Sequence, residues 1–391
     1  MIGISRLYCG GPESGDGLRY GRHARGDALP MRQSHKPIVV WNCTQRCNLK
    51  CEHCYACATT QSNPDELSTA QARAMIDDLA AFGAPVLLFS GGEPLLRGDL
   101  LELIAYARQA GLRAVLSTNG TLISPQWAGK LATAGLGYVG ISLDGTDAVN
   151  DRFRGVAGAF GAALEGIRNC MAASVRVGLR LTMSRRNVEE IPAIFDLIQR
   201  ERIPRVCFYH LVSSGRGREL DAEQLTHAQT RAAMDLIVDR TQRLHAAGQS
   251  VQVLTVDNHA DGPYLLMRME REKSPRLAEA RELLSANGGN ASGSAIACVS
   301  WNGDVMPDQF WRQHVLGNVL RRPFSEIWAD GSIPLLAQLR DRKKHLRCRC
   351  QQCRWLSVCN GNFRARAQGA GDMWGDDPAC YLTDDEIRQR R

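Results

Sequence analysis

The stretch Cys47-Asn48-Leu49-Lys50-Cys51-Glu52-His53-Cys54-Tyr55 decides how the rest of the chain is read. It sets three cysteines at C-x3-C-x2-C, directly after the apolar run Ile38-Val39-Val40-Trp41. Three thiolates on one short loop can bind three irons of a [4Fe–4S] cube, where a fourth would close it. The iron without a protein ligand is then an open Lewis-acid position, as on a catalytic metal. Competing possibilities are a structural zinc knuckle and three reduced core cysteines. Zinc usually takes four ligands, often in C-x2-C pairs. Cys57 forms a second C-x2-C with Cys54 and reads as a bystander.

Bulk properties bound the rest. The chain has 391 residues, 44% of them hydrophobic, enough for one large domain and a smaller one. The first 36 residues hold no apolar signal region, and no run is long and apolar enough for a membrane span. Fourteen cysteines in a chain of this size point to metal or redox chemistry rather than to a disulfide framework. A reducing cytoplasm is therefore expected. The net charge of +7 lies largely in the N-terminal arm and between Arg340 and Arg354. Aromatics do not alternate with the basic residues there, so a nucleic-acid partner is not expected.

Residues 1–36 are rich in Gly, Arg and Ser without periodicity and predict a flexible arm. From Ile38, short apolar runs at 38–43, 85–90, 113–118, 137–143, 175–183 and 205–211 alternate with helical patterns at 68–83, 98–110, 124–134, 159–171 and 188–200. Such alternation predicts a parallel sheet with helices outside it. Six units fit a partial (β/α)6 barrel over 37–220, followed by a helical bridge over 221–290 with a strand-like run at 251–256, and a small domain over 291–391. Ligand chemistry in such folds gathers at the C-terminal strand ends. There the chain places Gly91-Gly92-Glu93-Pro94, Ser117-Thr118-Asn119-Gly120 and Ser142-Leu143-Asp144-Gly145. Arg154 follows shortly, and a guanidinium suits a carboxylate. The sixth strand ends at His210, with Arg216 and Arg218 beyond it as candidate substrate contacts.

A second cysteine group reads Cys350-x2-Cys353-x5-Cys359, with Cys380 farther on. Four thiolates make a full set for a second [4Fe–4S] cluster or for a structural zinc ion.

The C-x3-C-x2-C loop and the strand ends after it resemble the radical S-adenosylmethionine (SAM) enzymes. The resemblance implies that Cys47, Cys51 and Cys54 hold a [4Fe–4S] cluster whose open iron binds SAM. It implies that Gly91, Gly92, Glu93, Thr118, Asn119, Ser142, Asp144 and Arg154 surround the SAM. The C-terminal part is similar to the SPASM/twitch extension of that family. The full extension carries two auxiliary clusters, but this chain has Asp308 and Phe363 where two ligands of the first would stand. One auxiliary cluster on Cys350, Cys353, Cys359 and Cys380 is therefore implied, two [4Fe–4S] clusters in all. Cys298 would be a buried leftover and Cys348 a substitute ligand.

Pro307-Asp-Gln-Phe-Trp311, Pro323-Phe-Ser-Glu-Ile-Trp328 and Asp376-Asp-Pro-Ala-Cys380 narrow the resemblance to the radical SAM enzymes of haem d1 biosynthesis. What that implies is removal of two propionate side chains from 12,18-didecarboxysirohaem, with an external one-electron reductant of flavodoxin or ferredoxin type. His210, His259 and His314 are candidate ligands for a substrate iron. Alternatives are a SPASM peptide maturase, another haem-pathway enzyme that trims side chains, and an iron–sulfur carrier without catalysis.

Overall fold

The computed structural model describes residues 1–21 and 36–388. Eleven strands form one sheet: β1 (Ile2–Gly3), β2 (Ile38–Thr44), β3 (Val86–Gly91), β4 (Arg113–Thr118), β5 (Val139–Ser142), β6 (Val177–Met183), β7 (Arg205–His210), β8 (Gln252–Val256), β9 (Ile296–Val299), β10 (Asp304–Met306) and β11 (Gly317–Asn318). The strand order is β1-β8-β7-β6-β5-β4-β3-β2-β9-β10-β11. Strands β2 to β8 run parallel, and β9 joins β2 in parallel with Val40 opposite Cys298. The chain is thus an α/β protein built on a partial (β/α)6 barrel, as its alternating runs predict.

The helices Thr69–Phe82, Leu100–Gln109, Pro125–Thr133, Ala159–Ala172 and Ile191–Glu201 connect successive strands. The first starts at a capping box, in which Ser68 accepts from Gln71 N and Gln71 accepts from Ser68 N. It stops at Gly83, whose φ of 86° suits a residue without Cβ. Strand alternation separates two environments. Val39, Trp41, Leu87, Phe89, Leu116 and Ile141 pack outward, with helix residues such as Leu79, Ile104 and Ile198, in the main core. Val40, Leu88, Ser90, Ser117, Ser142, Thr182 and Tyr209 line an internal cavity.

Two expectations are corrected. Residues 1–21 are not a flexible arm: β1 pairs antiparallel with β8, and Ile2, Ile4, Leu7, Tyr8 and Tyr20 are buried. Residues 22–35 of that arm lie outside the described residues. Nor does the parallel sheet end before the 221–290 bridge: the strand-like run 251–256 within it is β8, which continues the sheet beside β7. The C-terminal segment shares the sheet through β9. It also packs on the barrel at Phe324, whose ring meets Phe82 edge-on at 6.1 Å. No helix among the described residues is long and apolar enough to cross a membrane.

If the first residues are core, Leu7→Ala should cost about 2–4 kcal/mol in urea unfolding of the apoprotein. An unchanged midpoint would mean that the segment adds no stability.

Candidate active site at the barrel mouth

The loop after β2 has little regular structure, so its backbone groups are matched by the elements around it. Thr44 Oγ1 and Gln45 N donate to Glu66 Oε1, both at 2.8 Å. Cys47 N donates to the Thr59 carbonyl at 2.7 Å, and Lys50 N to the Arg154 carbonyl at 3.0 Å. Arg216 donates from Nε to the Cys51 carbonyl and from Nη1 to the Ala58 carbonyl, at 3.0 and 2.9 Å. Arg312 Nη1 reaches the Tyr55 carbonyl at 3.0 Å. Held in this way, Cys47, Cys51 and Cys54 share one small cluster with Leu49 and Ala58 and line one cavity.

Their electrostatics suit a bound cation. Burial pushes the Cys47 thiol up to about 12 and raises Cys51 as well. Thiols that resist ionisation alone become ligands when irons supply positive charge. Groups of positive polarity already face the sulfurs. Leu49 N lies 3.4 Å from Cys47 Sγ, Ala58 N 3.5 Å from Cys54 Sγ, and Arg154 Nη1 3.6 Å from Cys51 Sγ. Among the described residues, no three His, Cys, Asp or Glu side chains converge on a single-ion position. A cube does not ask for that, because its thiolates bind separate irons. The donor set fits a three-thiolate cluster.

The strand-end residues gather here, in differing roles. Gly91, Gly92, Thr118, Asn119, Ser142 and Arg154 line the cavity. The two glycines are needed against the protein itself: a Cβ on Gly91 would stand 2.4 Å from the Thr44 carbonyl oxygen, and one on Gly92 2.2 Å from that of Arg46. They let the end of β3 lie directly on the entry to the thiol loop. Glu93 is expected at the ligand, yet it is fully buried away from the cavity. Its carboxylate accepts from Leu95 N, Thr118 Oγ1 and Asn119 N at 3.1, 2.7 and 2.8 Å, fastening β3 to β4. Burial still raises its pKa to about 7 against those three bonds. Asn119 Nδ2 then donates to Asn48 Oδ1 at 2.9 Å, inside the thiol loop.

Asp144 is likewise sealed off. Its Oδ2 lies 2.6 Å from Arg154 Nη2 and 3.2 Å from His53 Nε2, and its Oδ1 accepts from Thr182 N at 2.8 Å. Asp144 therefore aims Arg154, which in turn faces Cys51. Arg216 lines the cavity, as its place beyond the sixth strand predicts, and two of its donors are engaged by loop carbonyls. His210 lines the cavity and bonds through Nε2 to Asp261 at 3.0 Å; Tyr381 Oη donates to the other oxygen of Asp261 at 2.7 Å. His259 also lines the cavity, whereas His314 does not and bonds instead to Gln368.

The second thiol set lies in the C-terminal segment. Burial raises Cys350 to about 12, Cys380 to about 11 and Cys359 far up, and Cys359 is raised further by the charges of Cys380, Cys350 and Cys353. Four thiols close enough to repel one another when ionised fit a shared multivalent cation. Arg364 works the other way on Cys350, and Arg349 and Arg354 on Cys353. Cys348 is exposed on a left-handed turn at φ 52°, and Cys298 is buried beside β2 with Asn42 Nδ2 at 3.5 Å. Asp308, one of the two replacements for a cysteine, is buried and held by Ser292 and Phe310 N. Phe363, the other, stacks edge-on against Phe310 at 5.4 Å, and Phe310 meets Tyr55 at 5.3 Å. All four line the same cavity, of about 390 Å³, as the first three thiols.

The model of the radical SAM superfamily matches residues 41–198, and that of the SPASM iron–sulfur cluster-binding domain matches residues 292–354. The chain is 56% identical to the Fe-coproporphyrin III synthase of Methanosarcina barkeri over 99% of both chains. The chain belongs to the radical SAM superfamily. It is also 44% identical to the pre-heme d1 synthase of Dinoroseobacter shibae, over 90% of this chain and 88% of that one. Among solved structures, Streptococcus suis SuiB bound to precursor peptide SuiA superposes with a TM-score of 0.70 at 17% identity, covering 90% of this chain and 78% of SuiB. At that identity the likeness concerns the fold alone.

In this radical SAM protein, sequence alone does not single out Arg180, His53, Phe310 or the clamp made by Arg216 and Arg312. The available signals were a lone arginine inside the apolar strand 177–183 and a histidine between two ligand cysteines.

Gly92→Ala should push the end of β3 off the thiol loop. The expected result is a reconstituted protein that loses iron from the 47–54 site and keeps it at the C-terminal thiols. Iron content and spectra equal to wild type would contradict the packing role of Gly92.

Proposed function

We propose that this radical SAM enzyme acts on an iron tetrapyrrole and removes carboxylate-bearing side chains, with Fe-coproporphyrin III as its product. The observation that carries the proposal is the 56% identity to a Fe-coproporphyrin III synthase across 99% of both chains. The cavity agrees in chemistry: thiol ligands, an aromatic wall and histidines line one space. When bound, the cluster and SAM supply a carbon radical able to abstract hydrogen from an unactivated C–H bond.

The chain's own groups do the rest. Cys47, Cys51 and Cys54 hold the cluster, and Arg154, aimed by Asp144, receives the carboxylate of SAM. Ser142, Thr118 and Asn119 offer hydrogen bonds at the strand ends, while Glu93 keeps two of those ends together. Tyr55, Phe310 and Phe363 give a flat macrocycle a surface to lie on and keep water from the reacting bond. His210, braced by Asp261, is placed to ligate a substrate iron, in the way that ligand histidines are oriented by a carboxylate. Cys350, Cys353, Cys359 and Cys380 would hold an auxiliary [4Fe–4S] cluster, which would supply one-electron redox chemistry beside the substrate. A flavodoxin or ferredoxin type protein supplies the electron that starts each turnover.

A second proposal is the haem d1 step, loss of two propionates from 12,18-didecarboxysirohaem, supported by the 44% identity to a pre-heme d1 synthase.

Both are tested by one anaerobic incubation with SAM, reductant and 12,18-didecarboxysirohaem, which carries acetate and propionate side chains. Fe-coproporphyrin III, identified by mass and co-elution and formed together with 5′-deoxyadenosine, is the expected outcome. Pre-haem d1 in its place would favour the second proposal. An unchanged tetrapyrrole with 5′-deoxyadenosine formed would overturn both.

A further inference from the structure

Strand β6 reads Val177-Gly178-Leu179-Arg180-Leu181-Thr182-Met183, one arginine in an apolar run. Alternation puts Arg180 on the same side as Gly178 and Thr182, and Arg180 and Thr182 line the cavity together with Cys47, Cys51 and Cys54. Arg180 Nη1 donates to Ser117 Oγ at 2.6 Å. Its guanidinium lies 6.0 Å from the ring centre of Tyr138. Its Nε is buried without a hydrogen-bond partner, and the side chain forms no ion pair with any described carboxylate. The other arginines lining the cavity are matched: Arg19 by Glu13 and Asp16, Arg154 by Asp144, and Arg216 by two carbonyls.

A guanidinium keeps its charge in any surroundings, and burying it without an anion is costly. The fold nevertheless makes room for it. On neighbouring β5, a Cβ at Gly140 would fall 2.1 Å from Arg180 Nε, so any larger residue there would displace the side chain. A cation placed in a cavity, given space by a glycine and left without a counter-ion awaits an anionic group of the ligand. Its planar fork suits a carboxylate.

We propose that Arg180 seats a carboxylate side chain of the substrate inside the barrel, and so selects which edge of the macrocycle faces the Cys47–Cys54 end. The proposal rests on the tetrapyrrole assignment above. Carboxylates of two kinds enter this cavity, those of the substrate side chains and that of SAM. Arg154 stands beside the thiol loop and Arg180 on a different strand, which assigns the substrate carboxylate to Arg180.

The test titrates reconstituted wild type, Arg180→Gln and Arg180→Lys with Fe-coproporphyrin III and with its methyl ester, following the tetrapyrrole absorbance. SAM binding is measured in parallel. Loss of a charge-assisted contact should weaken binding of the acid by about tenfold to a hundredfold in Arg180→Gln. Binding of the ester and of SAM should stay near wild type, and Arg180→Lys, which keeps the charge, should fall between. Acid affinity in Arg180→Gln equal to wild type would overturn the proposal. So would a loss of SAM affinity with tetrapyrrole binding retained, since the seated carboxylate would then be that of SAM. Wild type that binds neither tetrapyrrole would instead strike the substrate assignment itself, and the proposal with it.

Discussion

The thiol loop cannot hold its own shape. Three cysteines within eight residues must present their sulfurs to one cavity, and the backbone between them forms almost no regular hydrogen bonds. Buried backbone groups require partners, and here they come from all round the barrel mouth. The end of β3 lies on the loop entry because Gly91 and Gly92 have no Cβ. Arg97 reaches the Cys43 and Leu67 carbonyls, at 2.9 and 2.8 Å, and stacks over Trp41 at 5.1 Å. Gly215 has a φ of 59°, and a Cβ there would fall 2.5 Å from the Cys54 carbonyl oxygen, so the 215–217 turn also nests against the loop. Much of the chemistry at these strand ends thus serves to hold a loop still.

Charge is arranged in the same spirit. Asp144 and Glu93 are fully buried carboxylates, and each fixes groups that line the cavity. Asp144 sets Arg154 against Cys51. Glu93 ties Thr118 and Asn119 to the GGEP turn. Cys47 and Cys51 in the first thiol set and all four cysteines of the second are buried enough to resist ionisation. A resident multivalent cation is what makes such sites stable, and the arginines beside them lower the cost of the charged form. Where two cysteines of a fuller SPASM extension are replaced, Asp308 and Phe363 line the cavity instead.

Much of this was legible in the sequence. Short apolar runs place β2 to β7 within about two residues of their observed limits, because each strand is buried on both faces and its apolar run stops where the strand does. Spacing brings the two thiol sets out as sets. What was not legible depends on non-local pairing. Two residues, Ile2 and Gly3, carry no strand signal of their own and become β1 only beside β8. The seam between β2 and β9 is invisible for the same reason. Residue type also does not give partners. Glu93 and Asp144 sit at the expected strand ends and are held there by Thr118, Asn119 and Arg154, and Arg216 bonds two loop carbonyls from the cavity wall, all of them pairings between segments distant in sequence. Arg180 shows the opposite case, a polar residue in a strand where only the cavity explains it.

The central claim is that the Cys47, Cys51 and Cys54 loop holds a cluster with one iron open to SAM. Electron paramagnetic resonance on the dithionite-reduced protein, with and without SAM, tests it most directly. Wild type should show two cluster signals, of which one changes when SAM is added. With all three cysteines changed to alanine, only the SAM-insensitive signal should remain. A wild-type spectrum indifferent to SAM, or a SAM-sensitive signal that survives in the triple variant, would contradict the claim.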